Sequence, residues 1–144
     1  MHHLLVFTVD NQRFAIDINV VDRVLMAMEV NLMPNASNGE LGLINLQGKI
    51  LPIFDIRKLL NYPEREMELD DQFIICFHQE KIVAIWVDAV MKVHSISKEV
   101  DMSLHELPID ARGAKYIIDE DGKPILIYSL SELLPHRKLM ETQL

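Results

Sequence analysis

The chain has 144 residues, of which 49% are hydrophobic and 25% are charged, and these values fit one globular domain with its own core. Fourteen basic against 22 acidic residues give a net charge of −8, which disfavours nucleic acid and anionic membrane surfaces as partners. There is no signal-like N-terminal stretch, and no run approaches the roughly 20 apolar residues that span a bilayer, so we expect a cytoplasmic protein without membrane insertion.

The first forty residues predict a hairpin, a short helix and a strand. Leu5, Phe7 and Val9 alternate with other residues, and the apolar pattern resumes at Phe14 after a polar turn at 10–13, which predicts a β-hairpin. Residues 20–28 have helix-like apolar spacing, but their β-branched side chains disfavour a long helix. We therefore predict a short helix that passes into a strand, followed by a loop at 34–39.

The stretch from 42 to 60, GLINLQGKILPIFDIRKLL, predicts two strands, a turn and a helical turn. Gly48 permits a positive φ in the turn, and Asp55 is a good N-cap for the helix that follows. Pro52 cannot donate a hydrogen bond to a neighbouring strand. Its presence predicts that the second strand lies at a sheet edge or contains a bulge.

The middle of the chain predicts an acidic connector at 63–71 and a second hairpin. The hairpin strands are the apolar runs 73–77 and 82–87, and the apolar pattern continues to Ile96, before an irregular segment at 97–110. We expect the connector to be solvated. We also expect Cys76 to be a buried thiol, and Trp86 to be a core or rim residue rather than a ligand platform.

The last third of the chain predicts a third hairpin and a capped helix. Residues 115–118 and 124–128 are apolar runs joined by the turn Asp-Glu-Asp-Gly, which lacks the alternating ligands of a calcium loop. Ser129 and Glu132 have the spacing of a capping box, so a short helix should occupy 130–134 and end at Pro135. Residues 136–144 form a polar tail.

Two halves of the chain resemble each other. Residues 48–60 lie over 122–134 without a gap, and 15–24 correspond to 84–93. We therefore predict one domain over 1–144 that uses a β-rich unit twice, with subdomains at about 10–70 and about 71–135. Packing two small units together buries their remaining apolar faces, and the crevice between them is the expected place for a partner.

The residue patterns favour a binding module with no catalytic residues, cofactor or metal. The chain has no glycine-rich phosphate loop, no Gly-x-Ser-x-Gly elbow and no HExxH, and its histidines show no ligand spacing. A rival interpretation is a small enzyme that uses Asp17, Asp22 or His94 in the crevice.

The stretch from Gly42 to Arg57 resembles the signature of CheW-like domains, commonly GVINLRGxIxPVxDLR. VDRVL at 21–25 is similar to the family's VxEVI, IWVDAVMKV at 85–93 is similar to its LLVDxVxEV, and the segment 32–34 carries the family's proline. The resemblance covers about residues 4 to 135. It implies a mainly β fold of two SH3-like, five-stranded barrel subdomains packed together, with short helices.

The resemblance also implies a function in signal transduction. Proteins of this family are non-catalytic adaptors of bacterial chemosensory arrays. They hold a CheA-type histidine kinase, through its own CheW-like domain, against the cytoplasmic tips of methyl-accepting chemoreceptors at the inner face of the membrane. The receptor tip lies at the groove between the barrels, and the resemblance implies interaction residues beside it, namely Ile44, Asn45, Leu46, Gln47 and Gly48.

Three positions depart from the family pattern, and all three change a charge. Gln47 replaces the arginine of the Asn-Leu-Arg-Gly turn, and Arg23 and Lys92 each replace a glutamate. An exposed ion pair is worth about 0–1 kcal/mol, whereas removing one side of a buried interfacial pair costs about 2–5 kcal/mol. We therefore expect Arg23 and Lys92 to tune partner specificity. Alternatively, these sites are variable surface, or the protein is a divergent CheW-like scaffold that serves a non-chemotaxis or alternative chemosensory pathway.

Overall fold

The structure is a computed structural model that describes residues 2–34, 39–96, 105–106 and 115–135, and these residues form β-strands and two short helices. The strands are β1 His2–Val9, β2 Gln12–Asp17, β3 Val21–Met26, β4 Asn31–Leu32, β5 Glu40–Leu46, β6 Lys49–Asp55, β7 Gln72–His78, β8 Lys81–Val87, β9 Ala89–Ile96, β10 His105–Glu106, β11 Lys115–Ile118 and β12 Pro124–Ile127. The helices are α1 Ile56–Leu59 and α2 Leu130–Leu133. Within the described ranges, no helix has the length and apolar character needed to cross a membrane.

The described strands form two sheets. Sheet 1 has the order β10-β11-β12-β2-β1-β9, and sheet 2 has the order β3-β7-β8-β6-β5-β4. Neighbouring strands are antiparallel except β12 with β2 and β6 with β8, which are parallel. The predicted mainly β fold with two subdomains is confirmed. Each described sheet has six strands rather than five, because a two-residue strand, β10 or β4, adds to one edge.

The internal repeat is visible in the strand pairing. Ile53 in β6 pairs with Ala84 in β8, and Ile127 in β12 pairs with Ala15 in β2. These are the positions that the sequence alignment of the two halves makes equivalent. Both halves also run in the same order, from a hairpin through a strand and a short strand to a second hairpin and a helix.

Each sheet nevertheless combines strands from both halves of the chain. Sheet 1 takes β1 and β2 from the first half and β9–β12 from the second, whereas sheet 2 takes β3–β6 from the first half and β7 and β8 from the second. The expected boundary near residue 70 therefore separates the sequence repeats but not the sheets. Similar halves offer similar pairing edges, so the sequence alone could not assign each hairpin to its sheet.

The largest buried cluster lies where the two sheets and both helices meet. It includes Phe7 and Phe14 from sheet 1, Ile74 and Ile85 from sheet 2, and Leu133 from α2. The rings of Phe7 and Phe14 are stacked, with centroids 5.7 Å apart. Because this core is shared, we expect the two subdomains to unfold together.

Cys76 lies in the same cluster with no exposed surface, which confirms the predicted buried thiol. Burial raises the pKa of Cys76 to about 12. The side chain is therefore a neutral thiol at physiological pH and serves as a small apolar core residue.

The short-range predictions agree well with the structure. The three hairpins form where the alternation places them. The prediction of a short helix within 20–28 is wrong, because Val21–Met26 form strand β3 and the helical turn, a 3₁₀ turn at Ile18–Val20, comes before them. The β-branched side chains of this stretch favour the strand. Asp55 Oδ1 accepts a hydrogen bond from Arg57 N at the start of α1. Ser129 Oγ accepts from Glu132 N, while Glu132 Oε1 accepts from Ser129 N, so the predicted capping box is present. The predicted tail at 136–144, most of the irregular segment at 97–110 and part of the loop at 34–39 lie outside the described residues.

The prediction that Pro52 marks an edge strand is wrong, because β6 lies between β5 and β8. Pro52 pairs with Leu43 of β5, and the parallel pairing with β8 begins only at Ile53. Nor does a bulge lie at Pro52, since the register shift in this pair falls between Glu40 and Gly42. The proline is tolerated because its missing N–H lies beyond the part of β6 that is paired on both sides.

Candidate functional site

The turn between β5 and β6 presents the residues that the sequence singled out. Leu46 pairs with Lys49, so Gln47 and Gly48 form a two-residue loop, with φ values of 51° and 89°. Two successive positive φ values are typical of the type I′ turn, whose twist matches that of a β-hairpin. Gly48 N donates to Asn45 Oδ1 at 2.9 Å, which fixes the turn and holds Gln47 at its exposed tip.

A small cavity of about 100 Å³ lies beside this turn, and we call it the Gln47 cavity. It is lined by Asp22, Arg23, Leu46, Gln47, Lys49, Leu51 and Ile82. The structure thus brings together Arg23, Leu46 and Gln47, three of the predicted interaction residues. All of the lining residues belong to sheet 2 or its turns, so one subdomain forms this cavity alone.

The rim of the Gln47 cavity has an excess of positive charge. Arg23 Nε lies 2.8 Å from Asp22 Oδ2, so the charge of Arg23 is partly neutralised, and the exposed side chain of Lys49 adds a second cation. The side chain of Arg23 is 47% exposed, which leaves its guanidinium accessible to a partner. A local positive rim on a chain of net charge −8 favours an acidic group on whatever binds there.

Two of the predicted interaction residues, Ile44 and Lys92, lie away from the surface formed by this turn and cavity. Ile44 is fully buried and packs in the core of sheet 2 with Leu51, Phe73 and Trp86, so its side chain supports the turn from inside and cannot contact a partner. Lys92 lies in β9 of sheet 1, opposite Val6, and does not line the Gln47 cavity.

An ion-pair network joins Arg57 and Asp88, which lie in the motifs at 42–57 and 85–93. Asp88 accepts two hydrogen bonds from Arg57 Nη2, at 2.7 and 2.8 Å, and one from Arg65 Nη2 at 2.8 Å. It also accepts from the backbone N of Asp10 at 2.9 Å. The side chain of Arg57 is only 3% exposed, so this pair is largely removed from water. The only sequence signal for this ion pair is that Arg57 and Asp88 each belong to a stretch that resembles a family motif, at 42–57 and 85–93.

Asp71 extends this network into the acidic connector. Its carboxylate accepts two bonds from Arg65, at 2.8 and 2.9 Å, one from Trp86 Nε1 at 3.0 Å and one from Glu68 N at 2.8 Å. The expectation of a fully solvated connector is therefore wrong at Asp71, which is buried because Arg65 folds back onto it. Trp86 is itself buried, as a core residue, with the guanidinium carbons of Arg57 and Arg65 each 5.7 Å from its ring centroid.

The network shifts the pKa of Asp71. Burial alone would raise the pKa of this carboxyl, but the hydrogen bonds from Arg65, Glu68 N and Trp86 outweigh it and lower the pKa below 3.8. Glu68, Asp70 and Asp71 hold carboxylate oxygens within 4.8 Å of one another. Because Asp71 is already bound by Arg65 and Trp86, the grouping is explained without a metal ion.

The Asp-Glu-Asp-Gly turn between β11 and β12 is a hairpin turn, as predicted. Asp119 is buried, accepts hydrogen bonds from the backbone N of Asp121 and Lys123, and forms an ion pair with Arg13 of β2. Gly122 in this turn has a φ of 78°. The ion pair between Asp119 and Arg13 thus links the β11–β12 hairpin to β2.

The three residues of the rival enzyme interpretation, Asp17, Asp22 and His94, lie at a turn, in an ion pair and in a strand, respectively. Asp17 accepts from Asn19 N at the 3₁₀ turn, and Asp22 pairs with Arg23. His94 lies in β9, opposite Leu4 of β1. Asp22 belongs to sheet 2, whereas Asp17 and His94 belong to sheet 1.

The chain is similar in sequence to a known protein family and to several of its members. Residues 3–138 match the family model of the CheW-like domain. The chain is 26% identical over 132 residues to a probable chemotaxis protein CheW from Rhizobium etli, covering 90% of this chain and 85% of that protein. It is 27% identical over 131 residues to the chemotaxis protein CheW from Bacillus subtilis, covering 83% and 84%.

A solved structure agrees with these sequence comparisons. The crystal structure of the scaffolding protein TtCheW from Thermoanaerobacter tengcongensis superimposes with a TM-score of 0.75 at 25% sequence identity. The match covers 88% of this chain and 82% of that one. Both subdomains of the chain are therefore included in the similarity.

Proposed function

We propose, because this chain belongs to the CheW-like domain family, that it is a non-catalytic scaffold in bacterial chemotaxis-type signal transduction. In this role it couples a CheA-type histidine kinase to the cytoplasmic tips of methyl-accepting chemoreceptors through protein interfaces. The family match over residues 3–138 carries the proposal, and the chemotaxis proteins and the scaffolding protein that resemble the chain over most of their lengths support it. The protein would act in the cytoplasm, at receptor arrays on the inner face of the membrane.

The proposed interaction surface is the exposed part of the β5–β6 turn together with the Gln47 cavity. Asn45, Gln47 and Gly48 are exposed, and Leu46 and Arg23 line the cavity beside them. Lys92 would act at a separate place on sheet 1. The positive rim favours partners that present a carboxylate to this surface.

Co-elution tests this proposal. The purified protein should co-elute in size-exclusion chromatography with a CheA-type kinase or a chemoreceptor fragment from its own cell. We expect Arg23→Ala to weaken the association with at least one partner by about tenfold, because a cation at an interface faces a complementary charge. Lys115→Ala is the matched control, since Lys115 is an exposed lysine of sheet 1. Absence of association with either partner at high micromolar concentration would contradict the proposal.

A second candidate is a divergent scaffold for a non-chemotaxis or alternative chemosensory pathway, and the altered charges at Gln47, Arg23 and Lys92 favour it. The double substitution Gln47→Arg with Arg23→Glu separates the two candidates. If specificity has changed, the double variant should gain affinity for the kinase of a conventional chemotaxis system that the natural protein ignores. Equal affinity of both forms for that kinase would contradict this candidate.

A further inference from the structure

A second concave surface lies apart from the Gln47 cavity. It is a groove of about 550 Å³ lined by residues 27–30, Leu32, Leu41, residues 65–69 and Trp86, and we call it the methionine groove. It shares no lining residue with the Gln47 cavity. Its volume lies within the range of about 300–1,000 Å³ that is typical of binding pockets.

The walls of the methionine groove are apolar and adaptable. Met28 and Met67 are half-buried and pack against the core of sheet 2, and Trp86 lies among its buried residues. At the margin, the side chains of Leu32 and Leu69 are 68% and 92% exposed. Methionine side chains are flexible and polarisable, so a groove lined by them accepts apolar side chains of different shapes.

The charged residues of the groove are mostly acidic. Glu29, Glu66 and Glu68 contribute exposed carboxylates. Arg65 is the cation among the lining residues, but its guanidinium donates to Asp71 and Asp88, so its charge is already neutralised. The groove therefore combines an apolar floor with a negative rim.

We propose that the methionine groove binds a basic amphipathic segment of a partner protein, with apolar side chains on the groove floor and Lys or Arg on the rim. This mode of recognition, in which an amphipathic helix lies in an apolar groove, is general. Charge disfavours the main rivals. The rim carboxylates repel an acidic or phosphorylated segment, and a second copy of this chain carries a net charge of −8 and is repelled as a whole. The inference does not depend on the proposed coupling of kinase and receptor.

Trp86 supplies a direct measurement, because it is the one tryptophan of the chain and lines the groove. The probe is a synthetic amphipathic helical peptide of leucine and lysine, without tryptophan, titrated into the full chain at about 0.15 M salt. The comparison peptide has the same leucine pattern with glutamate in place of lysine. We expect the basic peptide to change the Trp86 emission saturably, and the acidic peptide to cause no change.

Matched variants distinguish binding in the groove from non-specific electrostatic attraction between the basic peptide and the acidic protein. Glu29→Lys with Glu66→Lys reverses two rim charges, and we expect it to weaken binding of the basic peptide about tenfold. Glu80→Lys with Glu120→Lys changes the net charge by the same amount at two exposed turns that do not line the groove, and should leave binding within about twofold.

A further variant tests the apolar margin. Leu69→Ser removes a side chain that is almost fully exposed, so the fold should be unaffected while peptide binding weakens several-fold. Equal binding of the acidic peptide, equal loss in both charge-reversed variants, or self-association that saturates the groove without peptide would each overturn the proposal.

Discussion

At the scale of single residues, Asp88 connects parts of the chain that are distant in sequence. It accepts from Arg57 in α1, from Arg65 in the connector and from the backbone of Asp10 in the β1–β2 turn. Its own backbone N donates to Thr8 O in β1. Thr8 and Asp10 belong to sheet 1 and its turn, whereas Arg57 lies in α1, directly after β6 of sheet 2, so the carboxylate helps to fix one subdomain against the other.

Removing this carboxylate should destabilise the protein substantially. Asp88→Ala leaves the guanidinium of Arg57 buried without its partner, and breaking such a pair costs about 3 kcal/mol of the free energy of unfolding. Asp22→Ala is the matched control, because it removes the carboxylate of an exposed ion pair with Arg23, which is worth about 0–1 kcal/mol. Urea unfolding measures both. Equal effects of the two substitutions would show that the Asp88 network contributes no more than a surface pair.

The pH dependence of stability should carry the signature of Asp71. Its pKa is lower in the folded protein than its unfolded value of 3.8, so the unfolded chain takes up this proton first as the pH falls. The stabilisation from Asp71 is therefore present above pH 3.8 and is lost as the pH falls through the folded pKa. We expect Asp71→Asn to be less stable than the natural protein at pH 7, and this difference to shrink on acidification below pH 3.8.

Asp55 provides a control of opposite sign. Burial raises its pKa above 3.8, despite the hydrogen bond from Arg57 N, so the folded protein takes up this proton first. The natural protein should therefore gain stability relative to Asp55→Asn as the pH falls towards 3.8. Urea unfolding between pH 7 and pH 3 measures both differences. If the Asp71 difference grew on acidification, the assigned pKa direction would be wrong.

At the scale of elements, the local sequence was sufficient for most strands and both helices. Alternating apolar residues defined the hairpins, and side chains such as Ser129 and Asp55 defined the helix starts, because both signals act over a few residues. Pro52 was misinterpreted because its tolerance depends on where the neighbouring strand β8 begins to pair. The turn at Gln47 was predictable for the same local reason as the hairpins.

Contacts between segments that are distant along the chain could not be predicted from the sequence. The approach of Arg23 to Gln47, the pairing of Arg57 with Asp88 and the burial of Asp71 all depend on how strands from different halves are arranged. The repeat indicated a duplicated architecture, but because the two halves are similar, the sequence did not indicate to which sheet each hairpin would add. The exchange of hairpins between halves is therefore a result of the tertiary structure.

This exchange predicts that neither half folds alone. The fragment 1–70 lacks β7 and β8 from the centre of sheet 2, and the fragment 71–144 lacks β1 and β2 from the centre of sheet 1. Each isolated half would expose the apolar residues of the shared core, so we expect no cooperative unfolding from either one. Mixing the two should restore native-like circular dichroism and cooperative thermal unfolding. Cooperative unfolding of one half alone would contradict the exchanged arrangement.

At the scale of the whole molecule, the two proposed contact surfaces differ in charge. The Gln47 cavity has a positive rim and the methionine groove a negative one, and they share no lining residue. Surfaces of opposite charge select different partners, because like charges at an interface are costly. Two such surfaces would allow the chain to hold two proteins at once, as the proposed scaffold function requires.

Co-sedimentation of the kinase with receptor-containing membranes measures the proposed coupling itself. A CheA-type kinase and membranes carrying a methyl-accepting chemoreceptor, both from the protein's own cell, are mixed with and without the purified protein and then centrifuged. We expect the kinase to enter the pellet when the protein is present, and Arg23→Ala to reduce this fraction whereas Lys115→Ala does not. A kinase fraction in the pellet that is the same with and without the protein would contradict the proposed coupling.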